Sequence, residues 1–206
     1  MTFFEFLRQL TNPESIIIYG GLALLLFVVF AETGLFIGFF LPGDSLLFTA
    51  GLLCGTGVFN TNIYLLLLGL FFAGVAGNTV GYFFGKRVGP ALFTKDDNLI
   101  FKKRYVEITR NFYARYGGKA LILGRFLPVV RTFAPILAGV IKIDFKRFMM
   151  YNISGSVLWV MALTFTGYFL GIQYPEIKNY LEYIIIALII VTLIPVLKAY
   201  NRGEKS

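Results

Sequence analysis

The sequence predicts an all-α integral membrane protein built as an inverted repeat, each half holding a re-entrant helical hairpin and a transmembrane helix, with further transmembrane and interfacial helices at the flanks. Three observations predict it: an apolar composition, a motif that recurs 86 residues later, and basic residues concentrated in a few segments. Of the 206 residues, 57% are hydrophobic and 15% are charged, whereas soluble proteins are about 25% charged. A water-soluble globular domain is therefore not expected.

The first apolar run predicts a transmembrane helix. Residues 16–31 carry no charge and approach the ~20 residues that cross the hydrocarbon core of a bilayer. Glu32 is expected to end this run. Residues 1–14 are polar at several positions and predict a cytoplasmic or interfacial segment rather than a cleavable signal.

A single membrane domain is predicted over residues 15–200, and repeat 1 covers about residues 33–89 of it. Residues 33–53 are apolar but are interrupted by Pro42, Gly43 and Asp44, a turn sequence that does not continue a helix. Each arm is too short to cross, so the pattern predicts a re-entrant hairpin. The uninterrupted apolar residues 62–85 predict the transmembrane helix of this repeat.

A basic linker over residues 90–119 separates the repeats. Residues 86–119 contain nine Lys or Arg and three acidic residues. The mixture of apolar and basic positions predicts an interfacial amphipathic helix, and a solvated linker is the alternative.

Repeat 2 covers about residues 120–172. Its first part, residues 120–140, is interrupted by Arg125, Pro128, Arg131 and Pro135, which predicts a second hairpin. Residues 148–171 predict its transmembrane helix, residues 181–197 a final span, and residues 198–206 a basic cytoplasmic tail.

Two five-residue blocks recur at the same offset of 86, which indicates an internal duplication. Residues 38–42 (GFFLP) align with residues 124–128 (GRFLP), and residues 81–85 (GYFFG) align with residues 167–171 (GYFLG). Basic loops lie on the cytoplasmic side of membrane proteins. Residues 54–62 hold no basic residue, whereas residues 86–119 and 142–147 do. The halves are therefore predicted to be inverted, with both termini cytoplasmic.

Four ionisable residues lie inside the predicted hairpins: Glu32, Asp44, Arg125 and Arg131. A lone charge costs about 2.5–3.5 kcal/mol at the centre of a bilayer on insertion scales, so these groups are expected to face a wet cavity or one another. One interpretation is a pair of structural salt bridges. The other interpretation is that the arginines bind a phosphate while the carboxylates exchange protons or bind a cationic group.

Asn78, Asn152 and Trp159 are predicted to surround this site, with helix–helix hydrogen bonds or interface anchoring as the alternative. There is no His, which removes imidazole-based catalysis and most zinc and haem sites. Cys54 is a lone cysteine in an apolar run, interpreted as a packing residue. No enzyme activity, metal or cofactor is expected, nucleic acid is not an expected partner, and a homo-oligomer is left open.

The chain resembles the DedA family of VTT-domain membrane proteins. The residues that carry the resemblance are Glu32-Thr33-Gly34, Phe40 to Ser45, Gly77-Asn78, Gly81-Tyr82, Gly124 to Pro128 with Arg131, Ala138-Gly139, Asn152, Gly155 and Trp159. The resemblance implies a bacterial inner-membrane protein with two re-entrant hairpins in inverted repeats. It also implies movement of phospholipid or polyprenyl-phosphate lipids between leaflets, driven in some members by the proton gradient. The family's acidic pair matches Glu32 and Asp44, and its arginine pair matches Arg125 and Arg131.

Together these observations predict a lipid translocase. It is expected to hold a phosphate-bearing headgroup between the hairpins while the hydrocarbon tail of the lipid stays in the bilayer. Undecaprenyl phosphate is the first expected substrate and phosphatidylethanolamine the second. A proton-coupled transporter of small cations is the alternative; it uses the same acids but gives the arginines no role. A lipid phosphatase is disfavoured because the chain has no His.

Overall fold

The computed structural model describes residues 13–35, 43–93, 122, 125, 128–180, 183, 184 and 187. Within them every regular element is helical, and the helices are α1 (Pro13–Gly34), α2 (Gly43–Gly55), α3 (Ile63–Phe93), α4 (Pro128–Val140), α5 (Phe145–Gln173) and a 3₁₀ helix (Pro175–Tyr180). Most of the predicted N-terminal segment, Pro42, most of the basic linker, most of the final span and the C-terminal tail lie outside the described residues.

Three helices are long and apolar enough to cross a membrane: Ile16–Gly34, Ile63–Val88 and Phe145–Gln173. Large apolar side chains on their outer faces are exposed, for example Phe72 and Phe169. A helix that is apolar towards solvent as well as towards its neighbours is typical of a membrane span. The predicted all-α membrane class is confirmed to this extent.

The first helix differs from its predicted form in two ways. Gly21 has φ 60°, ψ −162°, which breaks α1 into two helical segments inside the run predicted to be continuous. Glycine accepts this conformation because it lacks a Cβ. Glu32 does not end the helix, which continues to Gly34. The Glu32 carboxylate is buried and forms an ion pair with Arg131, so its charge is compensated without contact with water.

The third helix is also longer than predicted, because it continues beyond Gly85 to Phe93 and takes up the first residues assigned to the basic linker. Lys86 and Arg87 are exposed at this end, so the helix continues through them without burying their charges. The α5 helix likewise begins at Phe145, where Asp144 accepts a hydrogen bond from the backbone N–H of Arg147 (3.0 Å) as an N-cap. Its predicted core, residues 148–171, is confirmed as helical.

Each short helix packs against the long helix from the other half of the chain, α2 on α5 and α4 on α3. Glycines let the backbones meet in both pairs. The two pairs have similar contacts: Gly55 lies against Tyr168 and Gly139 against Tyr82, while Gly171 lies against the Leu52 carbonyl and Gly85 against the Ile136 carbonyl. The long helices match at the offset of 86, and the short helices are shifted from it by two residues. In each pair the two helices run in the same direction.

The long helices α3 and α5 run in opposite directions, since Gly74 lies near Trp159 while Asn78 meets Asn152. The part of α1 after Gly21 runs with α3, because Gly69 contacts Leu26 and Gly77 contacts Gly34. The start of that segment therefore lies at the end of the bundle that holds residues 56–62. This path differs from the expected one, in which the first span starts at the basic end.

The two ends of the bundle differ in charge. The end of α3 lies beside the α4–α5 connection, where Tyr82 Oη donates to the Ile143 carbonyl (2.6 Å) and stacks on Phe148. Five basic residues are exposed around this end: Lys86, Arg87, Lys142, Lys146 and Arg147. The connection at the other end, residues 56–62, contains no charged residue.

Candidate functional site

All four ionisable residues singled out in the sequence lie in one buried cluster. Glu32 is near the end of α1, Asp44 is in the first turn of α2, and Arg131 is in the first turn of α4. The side chains of Glu32, Arg125 and Arg131 are 1%, 2% and 3% exposed. The arrangement brings the ends of three helices together inside an otherwise apolar bundle.

The cluster lies halfway along the bundle. Asn78 is the sixteenth of the 31 residues of α3, and Trp159 is the fifteenth of the 29 residues of α5. Both side chains are buried and contact the cluster. A helix of about 30 residues exceeds the ~20 that span the hydrocarbon core, so the middle of these helices corresponds to the interior of a bilayer.

Arg131 joins the two carboxylates. Its Nη2 donates to Glu32 Oε1, and its Nη1 donates to Asp44 Oδ1. The planar guanidinium is suited to bridging two oxygens at once, a geometry that an ammonium does not reproduce. The two carboxylates therefore share one cation, and the helix ends of α1, α2 and α4 are held together through it.

Two of these charges stand at the helix end that disfavours them. The C-terminus of a helix carries partial negative charge and the N-terminus partial positive charge. Glu32 is near the C-terminus of α1, and Arg131 is in the first turn of α4. Each therefore depends on the other for compensation, whereas Asp44 in the first turn of α2 is also favoured by its own helix. An external anion or cation would compete directly for these partners.

Trp159 connects the ion pair to the second arginine. Its Nε1 donates a hydrogen bond to Asp44 Oδ1 (2.7 Å). The guanidinium carbon of Arg131 is 4.8 Å from the centre of the indole ring and that of Arg125 is 5.9 Å from it, so the ring forms cation–π contacts with both arginines. The side chain is fully buried, which rules out anchoring at the membrane interface.

Arg125 has neutral partners among the described residues. Its Nη2 donates to Asn152 Oδ1 (2.5 Å) and to the Asn152 carbonyl (3.1 Å). When Asn78 Nδ2 donates to the Thr33 carbonyl (3.0 Å), Asn78 Oδ1 also accepts from Arg125 Nη2. Asn152 Nδ2 in turn donates to the Val75 carbonyl (3.1 Å), which fixes the amide. These partners orient Arg125 without neutralising its charge.

Several buried polar atoms have no hydrogen-bond partner within the described part of the chain. They include Arg125 Nη1, Arg131 Nε and Ser156 Oγ. A buried donor or acceptor left unpaired costs about 1–3 kcal/mol. Such atoms beside a charged cluster are typical of a site that is completed by water or a ligand.

Because Gly43 has no side chain, the Glu32 carboxylate can lie directly against its backbone. A Cβ on residue 43 would overlap the Glu32 carboxylate, so a larger residue would displace that group from the cluster. The predicted break at this position therefore has a second role, the close approach of α1 to the start of α2. Pro128 begins α4, as expected of a proline at the first position of a helix. The predicted interruption at Pro135 is wrong, because Pro135 lies inside α4, where its missing N–H removes one backbone hydrogen bond without ending the helix.

The structure adds residues that sequence reasoning missed. Ser156 and Gly74 lie beside Arg125, and Thr132 Oγ1 donates to the Glu32 carbonyl (3.4 Å). None of them is charged, and nothing in their sequence neighbourhood distinguishes them from ordinary small residues at helix contacts. Among the described residues, no group of three His, Cys, Asp or Glu is arranged to hold a metal ion.

Comparison with known proteins gives a consistent result. The VTT domain family matches residues 41–169. The chain is 39% identical to Protein DedA of Escherichia coli over 189 residues, 92% of this chain and 84% of that protein. It is 41% identical over 187 residues to a membrane protein of Mycobacterium tuberculosis, covering 90% of this chain and 82% of the relative. It is 35% identical over 165 residues to inner membrane protein YqjA of Escherichia coli, covering 80% and 73%. No solved structure matches the chain.

Proposed function

We propose, from the premise that this chain belongs to the DedA family of VTT-domain membrane proteins, that it moves a phosphate-bearing lipid between the leaflets of a bacterial inner membrane. The headgroup is held by Arg125 and Arg131 in the buried cluster, and the hydrocarbon tail stays in the bilayer. Undecaprenyl phosphate is the first candidate substrate and phosphatidylethanolamine the second. No covalent chemistry is required.

The observation that carries this proposal is the environment of the two arginines. Both are buried halfway along the bundle, yet only Arg131 contacts carboxylates within the described residues. Burying a charge without a full counter-charge is costly, so a charge of this kind inside a membrane protein is typical of a functional site. A phosphate offers the oxygen geometry that a guanidinium fork binds best. Arg125 therefore receives the anion first.

The carboxylates then act as internal competitors for Arg131. In the structure Glu32 and Asp44 both form ion pairs with Arg131. When the headgroup replaces them, each carboxylate takes up a proton or contacts a cationic part of the lipid, such as the ammonium of phosphatidylethanolamine. Release of the headgroup restores the ion pairs. This exchange gives the site two states of similar charge balance, as a carrier needs.

Inverted repeats with re-entrant hairpins are the architecture we propose for this carrier. The two hairpins end in α2 and α4, and the repeated contacts of α2 with α5 and of α4 with α3 support the duplication. Such halves commonly hold a substrate where broken helices meet near the midplane. We place the exposed basic end of the bundle in the cytoplasm, on the positive-inside rule.

A transporter of small cations coupled to protons is the second candidate. The paired carboxylates Glu32 and Asp44 favour it, because they would bind a cation directly. It leaves Arg125 unexplained, and Arg131 already occupies the position of a cation between the two acids. The lipid proposal accounts for all four charged residues.

The test is lipid movement by the full chain reconstituted in liposomes. One set of vesicles carries trace fluorescent phosphatidylethanolamine and another trace polyprenyl phosphate, each read by a reagent that reaches only the outer leaflet. Arg125→Gln is the site variant. Lys146→Gln is the matched control, because it also removes one positive charge but from the exposed basic end.

Wild type and Lys146→Gln are expected to exchange at least one of the two lipids faster than empty vesicles, and Arg125→Gln is not. If wild type moves neither lipid faster than empty vesicles under any imposed pH gradient, the translocase proposal is wrong. Uptake of a monovalent cation into the same vesicles, insensitive to Arg125→Gln, would favour the second candidate instead.

A further inference from the structure

Two unpartnered polar atoms point at the same place. Arg125 Nη1 and Ser156 Oγ both lack a hydrogen-bond partner within the described residues, and both side chains are almost completely buried. A methyl group built on Gly74 would lie 3.9 Å from each of these atoms and 3.6 Å from Cζ3 of Trp159. The absent side chain of Gly74 thus leaves a gap faced by a guanidinium nitrogen and a hydroxyl.

Gly74 also continues a stripe of α3 that borders an apolar groove. The groove lies between α3 and α5, has a volume of about 400 Å³, and is lined by Tyr64, Leu67, Leu68, Phe71, Val160 and Met161, among others. Gly74 is three residues beyond Phe71 on the same face of α3. Ser156 is one turn before Val160 on α5, which runs in the opposite direction. The groove therefore leads towards the gap.

The outer part of this groove faces the bilayer. Tyr64 and Leu68 are 71% and 56% exposed, and both belong to a helix apolar enough to span a membrane. The groove thus extends from a hydrocarbon environment towards two buried hydrogen-bond donors. A molecule that matches both parts is an amphiphile with an anionic head.

We propose that the α3–α5 groove is the path of the lipid hydrocarbon chain, and that one phosphate oxygen of the headgroup occupies the gap at Gly74, accepting hydrogen bonds from Arg125 Nη1 and Ser156 Oγ. This inference rests on the proposed function and adds to it a headgroup position, a new binding residue and a route for the tail.

The chemistry of the gap selects the ligand. Asn152 and Asn78 hold the other side of Arg125, so Nη1 is free to donate in the direction of the gap. Ser156 adds a second donor that carries no charge, and the edge of Trp159 closes the gap with an apolar contact. An anionic oxygen satisfies both donors, whereas an ammonium group would meet Arg125 as a like charge.

The experiment measures binding of dioctanoyl phosphatidic acid to the full chain in dodecyl maltoside micelles. Gly74→Ala fills the gap, and its nearest protein contact of 3.6 Å is an ordinary van der Waals distance, so the helix packing is expected to survive. Gly81→Ala is the matched control: it makes the same change in the same helix with nearest contacts of 3.5 Å, but it faces Gly34 and Ile136.

A second pair of variants removes a hydroxyl. Ser156→Ala deletes the buried donor, while Ser154→Ala deletes a hydroxyl on the same helix that is exposed and bonded to the Met150 carbonyl (2.8 Å). Because a hydrogen bond to a charged group is worth about 1.5–3 kcal/mol, Ser156→Ala is expected to weaken binding about tenfold or more. Gly74→Ala is expected to weaken it at least as much, and the two controls are expected to match wild type.

Two further probes separate the sources of the phosphate. Inorganic phosphate has no tail and dioctanoylglycerol has no phosphate, so neither is expected to bind with the affinity of the lipid phosphate. If inorganic phosphate binds as tightly as the lipid, the groove is not the tail path. The inference is wrong if Gly74→Ala and Ser156→Ala, folded as judged by unfolding temperature, bind the lipid as wild type does.

Failure of the inference differs from failure of the proposed function. Loss of binding in Arg125→Gln, with normal binding in Gly74→Ala and Ser156→Ala, overturns the gap and leaves the translocase proposal standing. Absence of binding and of lipid exchange in wild type overturns both.

Discussion

At the scale of single residues, the two arginines that look equivalent in the sequence have different partners. Arg131 bridges two carboxylates, whereas Arg125 is held by amide and carbonyl oxygens. Removing one partner of a buried ion pair strands the other. The same substitution is therefore expected to have different structural consequences at the two positions.

We expect Arg125→Lys and Arg131→Lys both to impair lipid exchange, because an ammonium loses the bidentate geometry for phosphate. Arg131→Lys should lower stability more than Arg125→Lys does, by roughly 1–3 kcal/mol, since one charged carboxylate loses its hydrogen-bonded partner. Unfolding temperatures in detergent, measured beside leaflet assays, check this. Equal loss of stability in the two variants would contradict the assignment of partners, and normal exchange by both would remove phosphate binding from the proposal.

The carboxylates give a second prediction at this scale. An anion that displaces Glu32 and Asp44 from Arg131 leaves them in an apolar environment without a counter-charge, where the neutral acid is favoured. We expect binding of dioctanoyl phosphatidylglycerol, a phosphodiester, to take up protons in wild type. Titration calorimetry in two buffers of different ionisation enthalpy measures that uptake.

Glu32→Gln and Asp44→Asn remove one acid at a time, so at least one of them should reduce the proton uptake. Should wild type take up no proton anywhere between about pH 5 and 8, a range in which perturbed carboxylates titrate, the two acids are structural partners of Arg131 only.

At the scale of helices, glycine contacts set the distance between each short helix and its long partner. A Cβ on Gly85 would meet the Ile136 carbonyl, and a Cβ on Gly171 would meet the Leu52 carbonyl. In the sequence, glycine recurs every four residues at Gly77, Gly81, Gly85 and Gly89. This spacing indicates close helix packing, but it does not say which helix is the partner. The structure identifies that partner as the short helix from the other half of the chain.

Gly85→Ala and Gly171→Ala are each expected to destabilise the protein by about 1–3 kcal/mol, the usual cost of overpacking. This exceeds the gain of about 1 kcal/mol that alanine brings to an exposed helix interior. Gly81→Ala, whose nearest contacts are 3.5 Å, should not destabilise. Chemical unfolding in mixed micelles measures all three. A loss confined to one of the first two variants would show that the two helix pairs are not equivalent.

At the scale of the whole molecule, the arrangement of charge predicts orientation. The exposed basic residues lie at one end of the bundle and the uncharged residues 56–62 at the other. The distribution of basic residues along the sequence predicts both termini in the cytoplasm. The path of α1 places the start of its second segment, after Gly21, at the end of the bundle that holds residues 56–62. Residues 1–12 and the C-terminal tail lie outside the described residues, so the cytoplasmic placement of both termini stays a prediction.

Single cysteines replacing Thr56 and Lys146, in a background with Cys54→Ala, are expected to react with an impermeant reagent from opposite sides of the membrane. Lys103→Cys lies in the basic linker and should report the same side as Lys146→Cys. If Thr56→Cys and Lys146→Cys label from one side, the proposed orientation and the inverted repeat are both wrong.

The sequence by itself determined the class of protein and the identity of the charged site. Composition alone required a membrane-embedded helical protein, because runs of apolar residues this long cannot remain in water. Glu32, Asp44, Arg125 and Arg131 were recognisable because ionisable residues inside apolar runs are costly and must be compensated. The recurring glycine and proline blocks also indicated the duplication without any coordinates.

Only the tertiary structure decided which charges meet. Spacing along the chain does not specify that Arg131 binds both carboxylates. Glu32 and Asp44 are 99 and 87 residues away from Arg131 in the sequence, and the three helix ends meet only in the folded protein. The kink at Gly21 and the continuation of α1 through Glu32 were likewise decided by packing, which overrides local propensity. The gap at Gly74 arises from long-range contacts with α5 and Arg125. The sequence shows only that Gly74 has no side chain. The residues packed around Gly74 determine which group fits into the gap.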